Sequence, residues 1–177
     1  YGENIVGGIA GLVMGNGVEI KNSRANVNIY TKGNDANHRT GGLVGILKDN
    51  ALLKDSYVEG RIFSEGKSGQ TGGAVGSTWP NGRIQNVISA VDVTNGKLFF
   101  GDEGYKQANI KEAYVVSNES KGQNDPWPTE ISKEAAIEKV REMNITSTTE
   151  DSGRFVEGNR YEVNYLIIRD SKAERKT

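Results

Sequence analysis

The sequence predicts a mainly β fold: a short parallel β-helix-like solenoid of three to four repeats, with a C-terminal α-helical cap and one or two late strands. Three observations lead to this prediction. Glycine supplies 23 of 177 residues against only 3 prolines, well above the usual ~7%, which indicates many tight turns between β segments. A glycine motif recurs at regular spacing, with an alternating apolar segment after each copy. One amphipathic helical pattern follows the last copy.

The glycine motif has the form GG-apolar-apolar-G and begins at Gly7, Gly41 and Gly72. Its first glycines are 34 and 31 residues apart. Near-constant spacing of this length is typical of repeat proteins, in which a repeat buries its apolar side only by stacking on its neighbour. A degenerate fourth copy of the strand segment begins at Ile110.

Stacked repeats place like residues over like, so the sequence predicts internal rows of aliphatic side chains. One row opens the strand segments and a second lies nine positions later. A third row comes from the glycine motif itself. The three predicted rows are Ile20, Leu53, Ile84 and Ile110; Ile29, Ile62 and Val93; and Ile9, Leu43 and Ala74.

The repeats also predict the domain boundaries. Residues 1–121 form the solenoid, with repeats at 7–33, 41–66 and 72–96 and a degenerate fourth at 99–118. Residues 122–177 form the helical cap and a linker toward a downstream domain. Polar loops are expected over 31–39 and 64–70, and a turn over 122–128 ends the solenoid. The sequence starts at Tyr1 rather than Met, so we expect a piece of a longer protein.

The helical pattern begins at Ser132, a residue type preferred at helix N-caps. Ala136, Val140 and Met143 follow at the spacing of one buried stripe. Beyond the helix, alternating residues over 155–168 predict one or two strands.

The repeats resemble the glycine-leucine repeats of bacterial surface proteins. Together with the helical segment Ile131–Ile145, they resemble the non-catalytic repeat region of the immunoglobulin A protease family, large cell-surface zinc metalloproteases of Gram-positive bacteria. This resemblance covers most of the chain. It implies a secreted or wall-associated parent that cleaves the hinge of a host antibody or a similar glycoprotein, with zinc held in a separate catalytic domain.

The catalytic motif of that family is absent from this sequence. Two histidines one helical turn apart in H-E-x-x-H hold the zinc, and a glutamate acts as general base. The chain has 1 histidine, His38, and 0 cysteines. We therefore expect no metal site, no cofactor and no catalysis in this fragment, and we expect His38 to be a solvated loop residue.

Other functions are disfavoured by composition and motif. A net charge of −1 gives no basic excess for nucleic acid or anionic lipid. No apolar run approaches the ~20 residues that cross a bilayer. Candidate acids for carbohydrate chemistry, Asp55, Glu59 and Asp92, fall at different offsets in their repeats, so they do not predict a repeated catalytic cluster.

Four residues are candidates for partner binding, because their types are enriched at binding hot spots and neighbouring repeats supply them. They are Trp79, Tyr57, Arg61 and Arg83. The expected partners are the catalytic domain of the same parent chain and host immunoglobulin A, bound by a monomer. For Trp79 the alternative is packing over apolar surface at the end of the stack. For the whole chain the alternatives are a passive spacer and an adhesive or carbohydrate-binding β-helix domain.

Overall fold

The computed structural model of the chain describes residues 4–32, 38–65, 70–102, 109–116, 121–123 and 125–146. Within these ranges it is mainly β, with one helix after residue 131. The strands are β1 (Ile5–Gly7), β2 (Ala10–Met14), β3 (Glu19–Lys21), β4 (Arg24–Thr31), β5 (Arg39–Gly41), β6 (Val44–Lys48), β7 (Leu52–Ser64), β8 (Thr71–Gly72), β9 (Val75–Ser77), β10 (Arg83–Lys97), β11 (Ile110–Val116), β12 (Lys121–Gln123) and β13 (Thr129–Ile131), and the helix is α1 (Lys133–Thr146).

Equivalent strands of successive repeats pair with one another, and every pair of these strands is parallel. β1, β5 and β8 pair in that order, and β2, β6 and β9 form a separate three-stranded sheet. The long strands β7 and β10 pair along eleven register positions, while β3 and β4 together pair with β7. Strands of 13 and 15 residues are long for globular proteins, and each bends partway along its length.

The predicted rows are confirmed by the strand register. Ile20 lies opposite Leu53, Leu53 opposite Ile84, and Ile84 opposite Ile110. The second row pairs in the same way through Ile62, and backbone hydrogen bonds join the third through Leu43. The inner rows of the second and third repeats are fully buried and form one core. The like-on-like spacing read from the sequence is therefore the packing pattern of the core.

The glycine pair marks a corner, because its first glycine ends one strand and the next strand begins three residues after it. In the second repeat β5 ends at Gly41 and β6 begins only at Val44, so the repeat has three strands. A Cβ on Gly42 would lie 2.2 Å from the carbonyl oxygen of Gly73. Only glycine allows the two backbones to approach this closely.

A second corner bends the long strands two residues after the first inner row. Each repeat places there a non-glycine residue with positive φ: Asn22 (48°), Asp55 (45°), Asn86 (53°) and Glu112 (56°). Asparagine and aspartate tolerate this left-handed conformation better than other side chains. The amide of Asn86 also donates a 2.8 Å hydrogen bond to Asp55 Oδ1, so the corner is stacked as well as bent.

His38 is buried, and the prediction of a solvated loop histidine is wrong. Its side chain is 1% exposed, and its Nε2 lies 3.1 Å from the hydroxyl of Thr40. The polar residues around His38 suggested a solvent-exposed loop. In the structure β5 begins at Arg39, so His38 directly precedes a strand. The rest of the predicted loops, 33–37 and 66–69, lies outside the described residues.

The segment before the helix differs from the predicted turn over 122–128. Residues 121–123 form β12, which pairs with β10, and Thr129–Ile131 forms β13, which pairs with β11. Pro126–Pro128 forms bends between them. Asp125 accepts a 2.8 Å hydrogen bond from the backbone N–H of Phe100, which ties this segment to the core.

Helix α1 begins and packs as predicted. The Ser132 hydroxyl accepts a 3.2 Å hydrogen bond from the N–H of Ala135, as expected of an N-cap. Ala136, Val140 and Met143 form the buried stripe. Residues 1–131 and residues 132–177 are two compact units. The strands predicted over 155–168 lie outside the described residues. None of the described helices has the length and apolarity needed to cross a membrane.

Candidate interaction surface

Trp79 stands in an exposed turn between β9 and β10. Its side chain is 64% exposed, so it does not cover the end of the stack, the alternative considered for it. The turn is nevertheless held in place, because the carbonyl oxygen of Pro80 accepts a 2.8 Å hydrogen bond from the N–H of Asp49. One repeat earlier, the N–H of Gly15 donates a 3.4 Å hydrogen bond to the carbonyl oxygen of Lys48. Trp79 is therefore an exposed indole on a stacked turn.

Three side chains lie seven residues after the first glycine of their motif, in the first, second and third repeats. Met14 lies opposite Lys48 in the β2–β6 register. Trp79 holds the equivalent position in the third repeat, where Lys48 forms an isolated antiparallel bridge with Asn81. Met14 is 48% exposed. We call Met14, Lys48 and Trp79 the turn row. Trp79 alone was singled out from the sequence, although the three residues occupy equivalent positions in the repeats.

Arg83 lies close to this row. Its Nε donates a 2.9 Å hydrogen bond to the carbonyl oxygen of Asn50, which follows Lys48 in the turn of the second repeat. The guanidinium is thereby fixed beside the row, with further donors in its planar group.

Arg61 is exposed but lies elsewhere. It pairs with Asn28 and Asp92 in the register, and Asp92 is nine positions beyond Arg83 on β10. The structure therefore holds Arg83 at the turn of the second repeat and places Arg61 nine register positions further along the strands.

Tyr57 is buried, with 1% exposure, so its side chain is not offered to a partner. Its hydroxyl donates to Glu59 Oε2 at 3.3 Å. Glu59 also accepts from Asn26 at 2.9 Å and forms an ion pair with Arg24 at 3.4 Å. Burial raises the pKa of Glu59, and this effect outweighs the lowering by Arg24, Asn26 and Tyr57. Tyr57 thus belongs to a buried polar network between the first two repeats.

An aromatic pair missed by the sequence reasoning lies near Arg61. The rings of Tyr30 and Phe63 stack in parallel planes with centroids 5.4 Å apart, and Phe63 is 43% exposed. Lys32 lies over the Tyr30 ring and pairs with Glu65 at 3.7 Å. The signal was available, because Tyr30 and Phe63 each follow an inner-row isoleucine by one residue.

A shallow cavity of about 250 Å³ lies beside β11, lined by Ile110, Glu112, Ala113, Tyr114, Trp127 and Thr129. Trp127 is 42% exposed. This cavity is below the usual size of ligand pockets, roughly 300–1,000 Å³. In the part of the chain that the structure describes, no group of His, Cys, Asp or Glu is placed to hold a metal ion.

Parallel strands in matched register, followed by one C-terminal helix, define a mainly β module. A comparison with protein-family models finds no match. The chain is 37% identical over 174 residues to zinc metalloprotease ZmpC of Streptococcus pneumoniae serotype 4, an alignment covering 98% of this chain and 9% of that protein. It is 32% identical to an immunoglobulin A1 protease of Streptococcus pneumoniae (65% of this chain, 6% of the relative) and 30% identical to that of Streptococcus sanguinis (62% and 6%).

The chain is thus homologous to a segment of the streptococcal immunoglobulin A1 protease and ZmpC family, and the family resemblance carried by its repeats is confirmed. It spans less than a tenth of the length of these relatives.

Proposed function

We propose that the chain is a non-catalytic accessory module of a large secreted or cell-surface zinc metalloprotease of the immunoglobulin A1 protease type. The module is a short parallel β-helix-like solenoid. It holds the catalytic domain at a distance from the cell wall and helps hold the protein substrate. Zinc and the residues that use it belong to the catalytic domain of the parent.

Two observations together support this proposal: the homology to ZmpC and the parallel register of the strands. Nearly the whole chain aligns with a short segment of ZmpC, and its strands pair in parallel with matching aliphatic residues opposite one another. A stack of this kind is stiff and elongates by adding repeats, which suits a spacer. The sequence contains neither H-E-x-x-H nor a second histidine.

The turn row supports a contact role in addition to spacing. Trp79 is largely exposed on a turn whose backbone is hydrogen-bonded to the turn below. Large aromatics held rigidly in this way lose little entropy on binding and are common binding anchors. Arg83 beside it supplies donors for carboxylates or carbonyl groups. We propose that the row contacts the parent's catalytic domain or the antibody substrate.

The test is a titration of isotopically labelled chain with the parent's catalytic domain and, separately, with immunoglobulin A1. Amide shifts concentrated at residues 77–83, together with a shifted Trp79 indole signal, are expected with one of the two. Trp79→Ala removes the effect, while Phe63→Ser, a matched loss of an exposed aromatic elsewhere, leaves it intact. Silence with both proteins at ~100 μM, where even weak binding of roughly −5 to −6 kcal/mol is visible, leaves a passive spacer.

A second candidate function rests on the stacked pair of Tyr30 and Phe63. An exposed aromatic face beside Arg61 and Asp92 matches the mixture of apolar ring and hydrogen-bonding groups that a sugar requires. Under this alternative the module is adhesive and binds a glycan. Titration with oligosaccharides distinguishes the two, because the shifts then centre on Phe63 and disappear in Phe63→Ser.

A further inference from the structure

The first repeat exposes apolar side chains that the second repeat buries at the same positions. Ile9 is 40% exposed, whereas Leu43 in its row is fully buried. Val18 is 42% exposed, whereas Ala51, which lies opposite it one residue before the Glu19–Leu52 pair, is fully buried.

The two long-strand rows behave in the same way. Ile20 and Ile29 are only partly buried, while their partners Leu53 and Ile62 are at 0% and 1%. All three inner rows, and the Val18–Ala51 pair, therefore have an exposed or partly exposed residue in the first repeat.

The cause is one-sided pairing. Within the described ranges, β1 pairs only with β5, β2 only with β6, and β3 and β4 only with β7. Among the described residues, the side of β1, β2 and β3 that faces away from these partners is paired with no strand. At the opposite side of the stack, β10 is followed by β11 and β12, and β11 by β13.

The part of this edge formed by β1 and β2 lacks the usual devices that keep a β edge from pairing. Natural proteins protect edges with charged residues, proline or a bulge. β1 and β2, with sequences IVG and AGLVM, contain no charged residue and no proline. The edge is therefore suited to receive another strand in the register that the stack already uses.

We propose that the open edge of the first repeat is a docking edge for a further repeat of the same glycine-punctuated kind, added in parallel register. This rests on the solenoid proposed above. The incoming repeat places aliphatic residues over Ile9, Val18, Ile20 and Ile29, just as the second repeat does from the other side. The like-on-like register of every existing interface between repeats specifies this occupant, and a strand of unrelated pattern leaves those four positions unfilled.

The relatives are long enough to contain such a repeat outside the segment that aligns with this chain. ZmpC matches the chain over only 9% of its own length, so most of that protein lies outside the aligned segment. The proposed contact repeats, on the other side of the first repeat, the interface that the first repeat already forms with the second.

The test inserts a second copy of residues 41–71 between Val6 and Gly7 of the full chain, which keeps the glycine motifs in phase. If the edge accepts a repeat, amides of β2, β3 and β4 exchange with solvent about tenfold more slowly or better, and the unfolding midpoint rises. The matched control carries Val44→Pro and Ile62→Pro in the inserted copy only. Proline removes ladder donors, so this control shows neither effect.

Two results overturn the proposal. One is an insertion that leaves both the exchange and the midpoint unchanged or lowers the midpoint. The other is sedimentation of the unmodified chain as a dimer whose first-repeat amides are already protected, which assigns the edge to a second copy. Neither result depends on binding to the catalytic domain or to the antibody, so the docking edge and the contact role can fail independently.

Discussion

Ile84 lies directly opposite Leu53 in the parallel register of β10 and β7, and both side chains are fully buried. Ile110 continues the row on the other side of Ile84. A carboxylate at the centre of this row has apolar neighbours above and below and no partner to compensate its burial. We predict that Ile84→Asp lowers the free energy of unfolding by several kcal/mol, measured by chemical denaturation.

The control for this prediction is the next residue on the same strand. Gln85 is half-buried and lies opposite Lys54 and Lys111, so Gln85→Asp puts the same new charge between two cations. Its effect is expected to stay within ~0.5 kcal/mol. Equal losses from the two variants contradict the assigned register.

The third glycine of the motif has different surroundings in different repeats. A Cβ on Gly45 would lie 2.6 Å from the carbonyl oxygen of Gly11 and 2.7 Å from Ile5 Cγ2. A Cβ on Gly11, at the open edge, would meet nothing closer than 3.2 Å. We predict that Gly45→Ala costs more than about 2 kcal/mol because backbone must move, while Gly11→Ala costs less than about 1 kcal/mol.

Thermal unfolding of the two glycine variants checks this, and the comparison is internal because both carry the same substitution at equivalent motif positions. A Gly11→Ala loss as large as that of Gly45→Ala is incompatible with an open edge at the first repeat.

The sequence predicted the inner rows correctly because residues at the same position in successive repeats become neighbours when the repeats stack. Ile20 and Leu53 are distant in the chain, yet their shared place in the repeat identifies them as neighbours. The helix stripe of Ala136, Val140 and Met143 was predicted correctly as well, because local periodicity is sufficient to locate it.

Burial of single polar residues could not be predicted in this way. Tyr57 is buried beside Glu59, which bonds Asn26 of the first repeat, and the local sequence of Tyr57 or His38 does not reveal such burial. The corner at Gly42 was missed for a related reason, since the short distance to Gly73 exists only in the stack. The turn row could have been predicted from the sequence, because Met14, Lys48 and Trp79 occupy the same position when the glycine motifs are aligned.

The bend of the long strands makes a third prediction. Glu112 occupies the left-handed corner with φ of 56°, where the second and third repeats have Asp55 and Asn86. Asparagine adopts this conformation several-fold more readily than glutamate, so Glu112→Asn is expected to raise stability by roughly 0.5–1 kcal/mol. The reciprocal variant, Asn86→Glu, should lower it and also lose the hydrogen bond to Asp55. Denaturation midpoints that move the opposite way for either variant contradict the corner assignment.

The buried carboxyl of Glu59 makes a prediction about pH. Its pKa is raised in the folded state from an ordinary value of 4.5, chiefly because burial disfavours the charged form. Between pH 4.5 and the raised pKa the folded state therefore holds a proton that the unfolded state has released. The contribution of Glu59 to stability is fully present below about pH 4.5 and is lost as the pH rises through the folded pKa.

Glu59→Gln keeps the shape of the protonated side chain but cannot ionise. The amide oxygen still accepts from Asn26, while the attraction to Arg24 is weakened. The difference in free energy of unfolding between the Glu59→Gln variant and the unmodified chain should therefore shift in favour of the variant as the pH rises from about 4.5 to about 7.5. Urea denaturation of both proteins across this range measures the difference, and other carboxylates cancel because both chains share them. A difference that stays constant with pH, or that moves against the variant, shows that the ion pair with Arg24 outweighs the burial of Glu59.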